Sequence, residues 1–245
     1  MARYGSDKAE PKALLFDVFG TVVDWRASTI AELKSFGQSR GISADWETFA
    51  DDWRGLYQPS MQSIRSGERP FVVLDQLHRE SLRKLIEKHD LPRPSEGEED
   101  QLVAMWHRLK PWPDVVDGLY RLKRRYIIGT LSNGNIGMMV RLAKHSGLPW
   151  DVITGAEVAG DYKPKPDVYR KSARALNLDE AECMLVAAHN DDLSAASAVG
   201  FQTAFVARPG EYGPHQTKDR HATSAWDIVT DSFGGLADLL NCPRY

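Results

Sequence analysis

Four groups of side chains in this sequence are suited to holding or attacking an electrophile: Asp17 with Thr21, Ser132 with Asn133, Lys163, and Asp192. Asp17 closes the apolar run Leu14-Leu15-Phe16 and precedes Val18-Phe19-Gly20-Thr21. A buried parallel strand ends this way when its last residue faces a ligand at the carboxyl edge of a sheet. A carboxylate there can be a nucleophile. It can equally cap a helix or close a turn, and its local sequence does not choose between these. Phe19 can neither relay protons nor bind a metal through its side chain. Ser132 and Asn133 are ordinary turn residues by composition. At the end of a neighbouring strand they could also hold a carboxylate and a leaving anion. Lys163, between Tyr162 and Pro164, is either a surface-loop charge or a compact cation that steadies two carboxylates.

Elements that would position these residues are visible as short apolar runs at 13–17, 126–132, 150–154, 184–188 and 203–207, with helical patterns between them. Strands alternating with helices argue for parallel βαβ units. Several runs end at polar groups: Asp17, Ser132-Asn133, and His189 to Asp192. In an open α/β sheet such ends gather in one crevice. The first two runs are separated by roughly a hundred residues, where a crossover needs about a dozen. The intervening segment shows apolar residues at i, i+3 and i+4 spacing, as in 30–36 and 73–82. The expected fold class is α/β: a doubly wound, Rossmann-like parallel sheet with an inserted α-helical cap. The core would be 1–24 with 111–245 and the cap 25–110. Residues 92–97 read as a loop in the cap, and 110–114 as the return to the core.

The chain has 245 residues, 42% of them hydrophobic and 27% charged, which suits a large folded core and excludes extended disorder. A net charge of -3 offers no electrostatic footprint for nucleic acid or an anionic membrane. The basic run Arg121-Leu122-Lys123-Arg124-Arg125 reads as a solvated helix end. Two distant cysteines, Cys183 and Cys242, allow no zinc spacing or disulfide framework, and Cys183 reads as a core residue. The first eight residues lack an apolar signal core, and no run approaches a membrane span. A cytoplasmic setting without membrane contact is the expectation.

Taken in order, Asp17-Val-Phe-Gly-Thr21, Leu131-Ser132-Asn133-Gly134-Asn135, Tyr162-Lys163-Pro164 with Tyr169, and Asp192 resemble the haloacid dehalogenase superfamily over nearly the whole chain. Within it, the L-2-haloacid dehalogenase branch is the nearest match. Trp53-Arg54 with Gly55-Leu56-Tyr57 resembles that branch's Trp-Arg substrate motif. The fourth motif departs from the branch. Counting back from Gly200-Phe201 puts Asp192 on the family aspartate, His189 on an asparagine and Ala187 on a serine. Phe19 stands where the branch has tyrosine, one hydroxyl fewer.

This resemblance implies that Asp17 attacks the α-carbon of a 2-haloacid and forms an ester, with inversion. Water then attacks the Asp17 carbonyl carbon and releases a 2-hydroxy acid. Thr21 would hold the nucleophile loop, or simply cap the following helix. Lys163 would keep Asp17 ionised. Arg54 and Asn133 would contact the halide, and Ser132 the substrate carboxylate. Phe19 and Tyr169 would line the substrate site. Asp192 would activate water, with His189 nearby. His189 would either bond within its loop, manage the water proton, or assist a harder leaving group, fluoride. No cofactor or metal is required. A homodimer is possible, and Trp46, Trp53 and Trp106 would serve either an interface or the cap core.

One rival is a Mg²⁺-dependent phosphatase on the same fold. Such enzymes resemble Asp-x-Asp at the first motif, where the second aspartate protonates the leaving group. Phe19 occupies that position here, whereas a halide leaves as a stable anion. A second rival is a binding module that kept the fold without turnover.

Overall fold

The computed structural model describes residues 8–244. The reading of the extreme N-terminus as lacking a signal core falls largely on 1–7, outside that range. The chain begins with strand β1 (Ala13–Phe16) and a short β2 (Val23–Asp24). Four helices follow: α1 (Trp25–Arg40), α2 (Trp46–Arg65), α3 (Leu74–Lys88) and α4 (Glu96–Ala104). A second short strand, β3 (Lys110–Pro111), then pairs antiparallel with β2, so the two chain crossings beneath the helices form a ribbon. The rest alternates α5 (Val115–Leu122), β4 (Ile127–Leu131), α6 (Ile136–Ser146), β5 (Val152–Thr154) and α7 (Pro166–Arg174). It finishes with β6 (Cys183–Ala187), α8 (Asn190–Ala198), β7 (Gln202–Val206), β8 (Ile228–Thr230) and α9 (Phe233–Leu239).

Six strands make one parallel sheet in the order β5-β4-β1-β6-β7-β8. The chain builds outward from β1 through β4 and β5, then returns to β1's other side for β6, β7 and β8. This reversal is what makes the sheet doubly wound, and ligands bind at the carboxyl ends beside it. Alternate residues of β1 serve opposite faces, as strand geometry requires. Leu14 and Phe16 pack with residues of α5, α6 and α9, while Ala13 and Leu15 pack with residues of α7 and α8.

The five expected strands are present within a residue or two. Strand β8 was not anticipated: three residues at a sheet edge, with Val229 exposed, make neither an apolar run nor an alternation. The loop expected at 92–97 ends earlier, because the Ser95 capping box starts α4 and takes Glu96 and Gly97 into the helix. The basic run is also corrected. Arg121 is buried and binds the carbonyls of Gly234, Cys242 and Pro243 and the Asp238 carboxylate, so it anchors the C-terminal segment. Cys183 and Cys242 are both buried and unpaired. Among the described residues no helix is long and apolar enough to cross a membrane.

In the cap, α2 turns Trp46, Phe49, Ala50, Trp53, Tyr57, Met61 and Ile64 inward at helical spacing. Trp46, Trp53 and Trp106 all belong to the hydrophobic core, which favours cap core over interface for these three.

Candidate active site

Parallel register sets the site. Phe16 aligns with Thr130 of β4 and Val186 of β6, and the Asp17 amide extends the ladder to the Val186 carbonyl at 3.0 Å. The residues just past each strand therefore meet at one edge: Asp17, Ser132-Asn133 and Ala188-His189.

Asp17 is held from three sides. Its Oδ1 accepts from Lys163 Nζ at 3.0 Å. Its Oδ2 accepts from Thr21 Oγ1 at 2.8 Å and from His189 Nδ1 at 3.1 Å. The Ala188 amide donates to Thr21 Oγ1 at 2.9 Å, which directs the hydroxyl hydrogen at Asp17. Thr21 thus ties the ends of β1 and β6 together; the cap of α1 is Asp24 instead. Lys163 Nζ also donates to Asp192 Oδ2 at 2.5 Å, and Tyr169 Oη donates to Asp192 Oδ1 at 2.6 Å.

His189 is the junction to a residue that sequence reasoning missed. Its Nε2 lies 2.9 Å from Glu211 Oε2. Glu211 is fully buried in the segment between β7 and β8, and its Oε1 accepts from Trp25 Nε1 at 3.0 Å. Gly20, at φ +91°, passes so close that a Cβ there would run into the Glu211 carboxylate. A signal for Glu211 did exist: an acid in the turn-rich stretch Pro209-Gly210-Glu211-Tyr212-Gly213, past the carboxyl end of a predicted strand.

Desolvation opposes the Asp17 charge, but Lys163, His189 and Thr21 overcome it and hold the carboxyl well below its usual range. Desolvation likewise opposes Lys163, yet Asp17 and Asp192 push its pKa up. His189 shows the same balance: Glu211 and Asp17 raise it well above an ordinary histidine despite desolvation. The ring is therefore an imidazolium that donates from both nitrogens. Asp192 moves the other way, raised by burial and by Asp17 against the pull of Lys163.

These groups line one cleft of about 750 Å³, with Phe19, Arg54, Asn133 and Tyr169 on its wall as expected, and with Trp25, Tyr57 and Tyr212 added. Ser132 is buried but is absent from that wall, and its Oγ accepts from the Gly134 amide at 3.1 Å. Asn133 Oδ1 accepts from the Lys163 amide at 2.8 Å. From the cap, the Arg54 guanidinium lies 4.2 Å from the Tyr57 ring centre and 5.2 Å from that of Trp25. Its Nη2 is 4.0 Å from Glu211 Oε1, and its buried Nη1 has no hydrogen-bond partner among the described residues. The Phe19 ring packs near-perpendicular to those of Tyr57, at 6.1 Å, and Trp106, at 6.0 Å.

The donor set does not suit a divalent cation. All four oxygens of Asp17 and Asp192 already accept from donors, and the Lys163 ammonium sits between the two carboxylates. Asp191, on the exposed rim of the cleft, pairs with Lys218 at 2.8 Å.

This geometry can be set beside known proteins. A family model described as haloacid dehalogenase-like hydrolase matches residues 11–200. The chain belongs to that family. It is similar to the solved defluorinating L-2-haloacid dehalogenase Rha0230, with 46% identity, a TM-score of 0.95, and coverage of 98% of this chain and 99% of that one. The solved L-2-haloacid dehalogenase PA0810 is 43% identical, with a TM-score of 0.92 and coverage of 95% and 100%. (S)-2-haloacid dehalogenase 4A of Burkholderia cepacia is 26% identical over 226 residues, 89% of this chain and 94% of that protein.

Proposed function

We propose that this family member is a hydrolytic dehalogenase of short 2-haloacids, including fluoroacetate, and that it works through an ester on Asp17. The observation that carries this is a carboxylate kept ionised at the end of β1 by Lys163 at 3.0 Å, with Phe19 where a proton-relaying acid would stand. The 46% identical relative, described as defluorinating, supports the inclusion of fluoride.

Asp17 attacks the α-carbon in line with the carbon–halogen bond, and the halide departs toward donors on the opposite wall. Arg54 Nη1 supplies one such donor. Ser132 Oγ accepts from the Gly134 amide, which holds the Asn133 turn in shape and leaves the Ser132 hydroxyl hydrogen free to give to the substrate carboxylate. The ligands of the cleft are then a 2-haloacid and the halide it releases.

The second step needs a base for water at the Asp17 carbonyl carbon. The geometry favours His189 over Asp192, whose two oxygens are engaged by Lys163 and Tyr169. Esterification removes the Asp17 charge, one of the two carboxylates that hold the second proton on His189. The ring then gives that proton up to the cleft, and Nδ1 is free to accept one from water while Glu211 keeps Nε2–H in place. Because Nδ1 sits on Asp17 itself, His189 lies on the nucleophile's side. That placement counts against the earlier idea that it escorts fluoride.

We further propose a cap of 25–110 on a core of 1–24 with 111–245, supported by the β2–β3 ribbon at both crossings. Two unpaired buried thiols support a reducing, cytoplasmic setting. A homodimer remains an expectation of the family resemblance. The phosphoryl-transfer alternative fits less well, for want of an acid at Phe19.

The test is halide release from chloroacetate, fluoroacetate and both enantiomers of 2-chloropropionate, with EDTA present. Release from the acetates and the L enantiomer is expected. Silence on all four, with Mg²⁺-dependent hydrolysis of a phosphate ester, would replace this reading by the phosphatase one.

A further inference from the structure

Arg54 and Tyr57 stand three residues apart on α2, so they share one helix face. Both line the cleft from the cap, whereas Asp17 lines it from the core. In-line displacement puts the leaving group on the far side of the carbon from Asp17, against this cap wall. The Tyr57 ring is fixed there, with Arg54 over its face at 4.2 Å and the Phe19 ring near-perpendicular to it at 6.1 Å. Asn133, its Oδ1 held by the Lys163 amide at 2.8 Å, lines the same cleft. The Tyr57 hydroxyl carries one hydrogen that it can give to a group in the cleft. Burial raises the phenol above its ordinary range, so that hydrogen stays on.

We propose that Tyr57 donates a hydrogen bond to the departing halide and is the residue that selects for fluoride. This rests on the dehalogenase reading above and adds the halide determinant to it. Fluoride is small, basic and charge-dense, so a short O–H donor stabilises it far more than it stabilises chloride or bromide. Arg54 Nη1 gives charge to any halide; the Tyr57 hydroxyl gives the short bond.

The test is Tyr57→Phe, which keeps the ring beneath Arg54. Rates of halide release are compared for fluoroacetate, chloroacetate and bromoacetate, with near-UV circular dichroism to check the fold. Loss of one hydrogen bond to a charged group predicts kcat on fluoroacetate down by roughly 10- to 100-fold, with the other two changed by less than about 3-fold. Equal losses on all three, or none, would overturn the role of Tyr57 while leaving the dehalogenase reading intact. So would a wild-type enzyme that releases chloride but no fluoride. A wild type inactive on every haloacetate would remove the underlying reading, and this role with it.

Discussion

The two walls of the cleft are built differently. On the core wall, the carboxylates of Asp17 and Asp192, the Lys163 ammonium and both His189 nitrogens have partners at 2.5 to 3.1 Å. On and behind the cap wall, buried nitrogens lack hydrogen-bond partners among the described residues: Arg54 Nη1, Trp53 Nε1, His78 Nε2 and Trp106 Nε1. A satisfied network is rigid and specifies one geometry, which reacting groups require. Arg54 shows the other arrangement, a donor at the cleft with capacity left for an anion. The core wall reads as the place of chemistry and the cap wall as the place of recognition.

The largest expected effect breaks the core wall. Asp17→Asn should cost at least about 10⁴-fold in halide release, since the amide cannot form the ester. It is nearly isosteric, so circular dichroism should be unchanged. Substantial residual turnover in a folded variant would sink the mechanism.

His189→Asn sharpens the comparison by separating the two chemical steps. Its loss should slow ester hydrolysis by about 10²-fold and spare the displacement. Rapid-quench assays should then show one halide released per active site in a burst, with the aspartyl ester visible in the mass of the intact protein. A steady slow release with no burst and no ester would mean that His189 is not the base.

The smallest effect lies behind the cap wall. His78 is stacked on Trp106 at 4.2 Å, and burial pushes its pKa down to about 3. In the unfolded chain it would titrate near 6.5. Below that pH the unfolded chain takes a proton that the folded protein refuses, so the stability owed to neutral His78 is lost as pH falls from about 6.5 toward 3. His78→Phe should flatten the acid slope of unfolding free energy by about 1.4 kcal/mol per pH unit in that window. Denaturant titrations at pH 6 and pH 4 give the slope, and parallel curves for variant and wild type would show His78 to be already protonated when folded.

Much of the core wall was legible in the sequence. Asp17, Thr21, Lys163, Asp192 and His189 come together, because each follows a strand or opens a loop at the same sheet edge. Their partners were less legible. Thr21 could be read as a helix cap until the Ala188 amide was seen to orient it. Ser132 was read as a substrate contact; that its oxygen also accepts from the Gly134 amide and so ties its own turn was not visible. The cap was visible as helices, while the wall it presents to Asp17 was not.

By itself, the sequence determined that β1 ends in a carboxylate, that no second acid follows it at residue 19, and that a helical insert separates β1 from β4. Those properties are local: an apolar run, a residue type, a periodicity. Only the tertiary structure decided that Glu211 grips His189 from 22 positions away, that Trp25 holds Glu211 from the first turn of the cap, and that Tyr57 faces the nucleophile across the cleft. These pairings depend on how the segment between β7 and β8 folds back and how α2 lies over the sheet edge. No local pattern encodes either, because residues distant in the chain meet only when the core and the cap pack together.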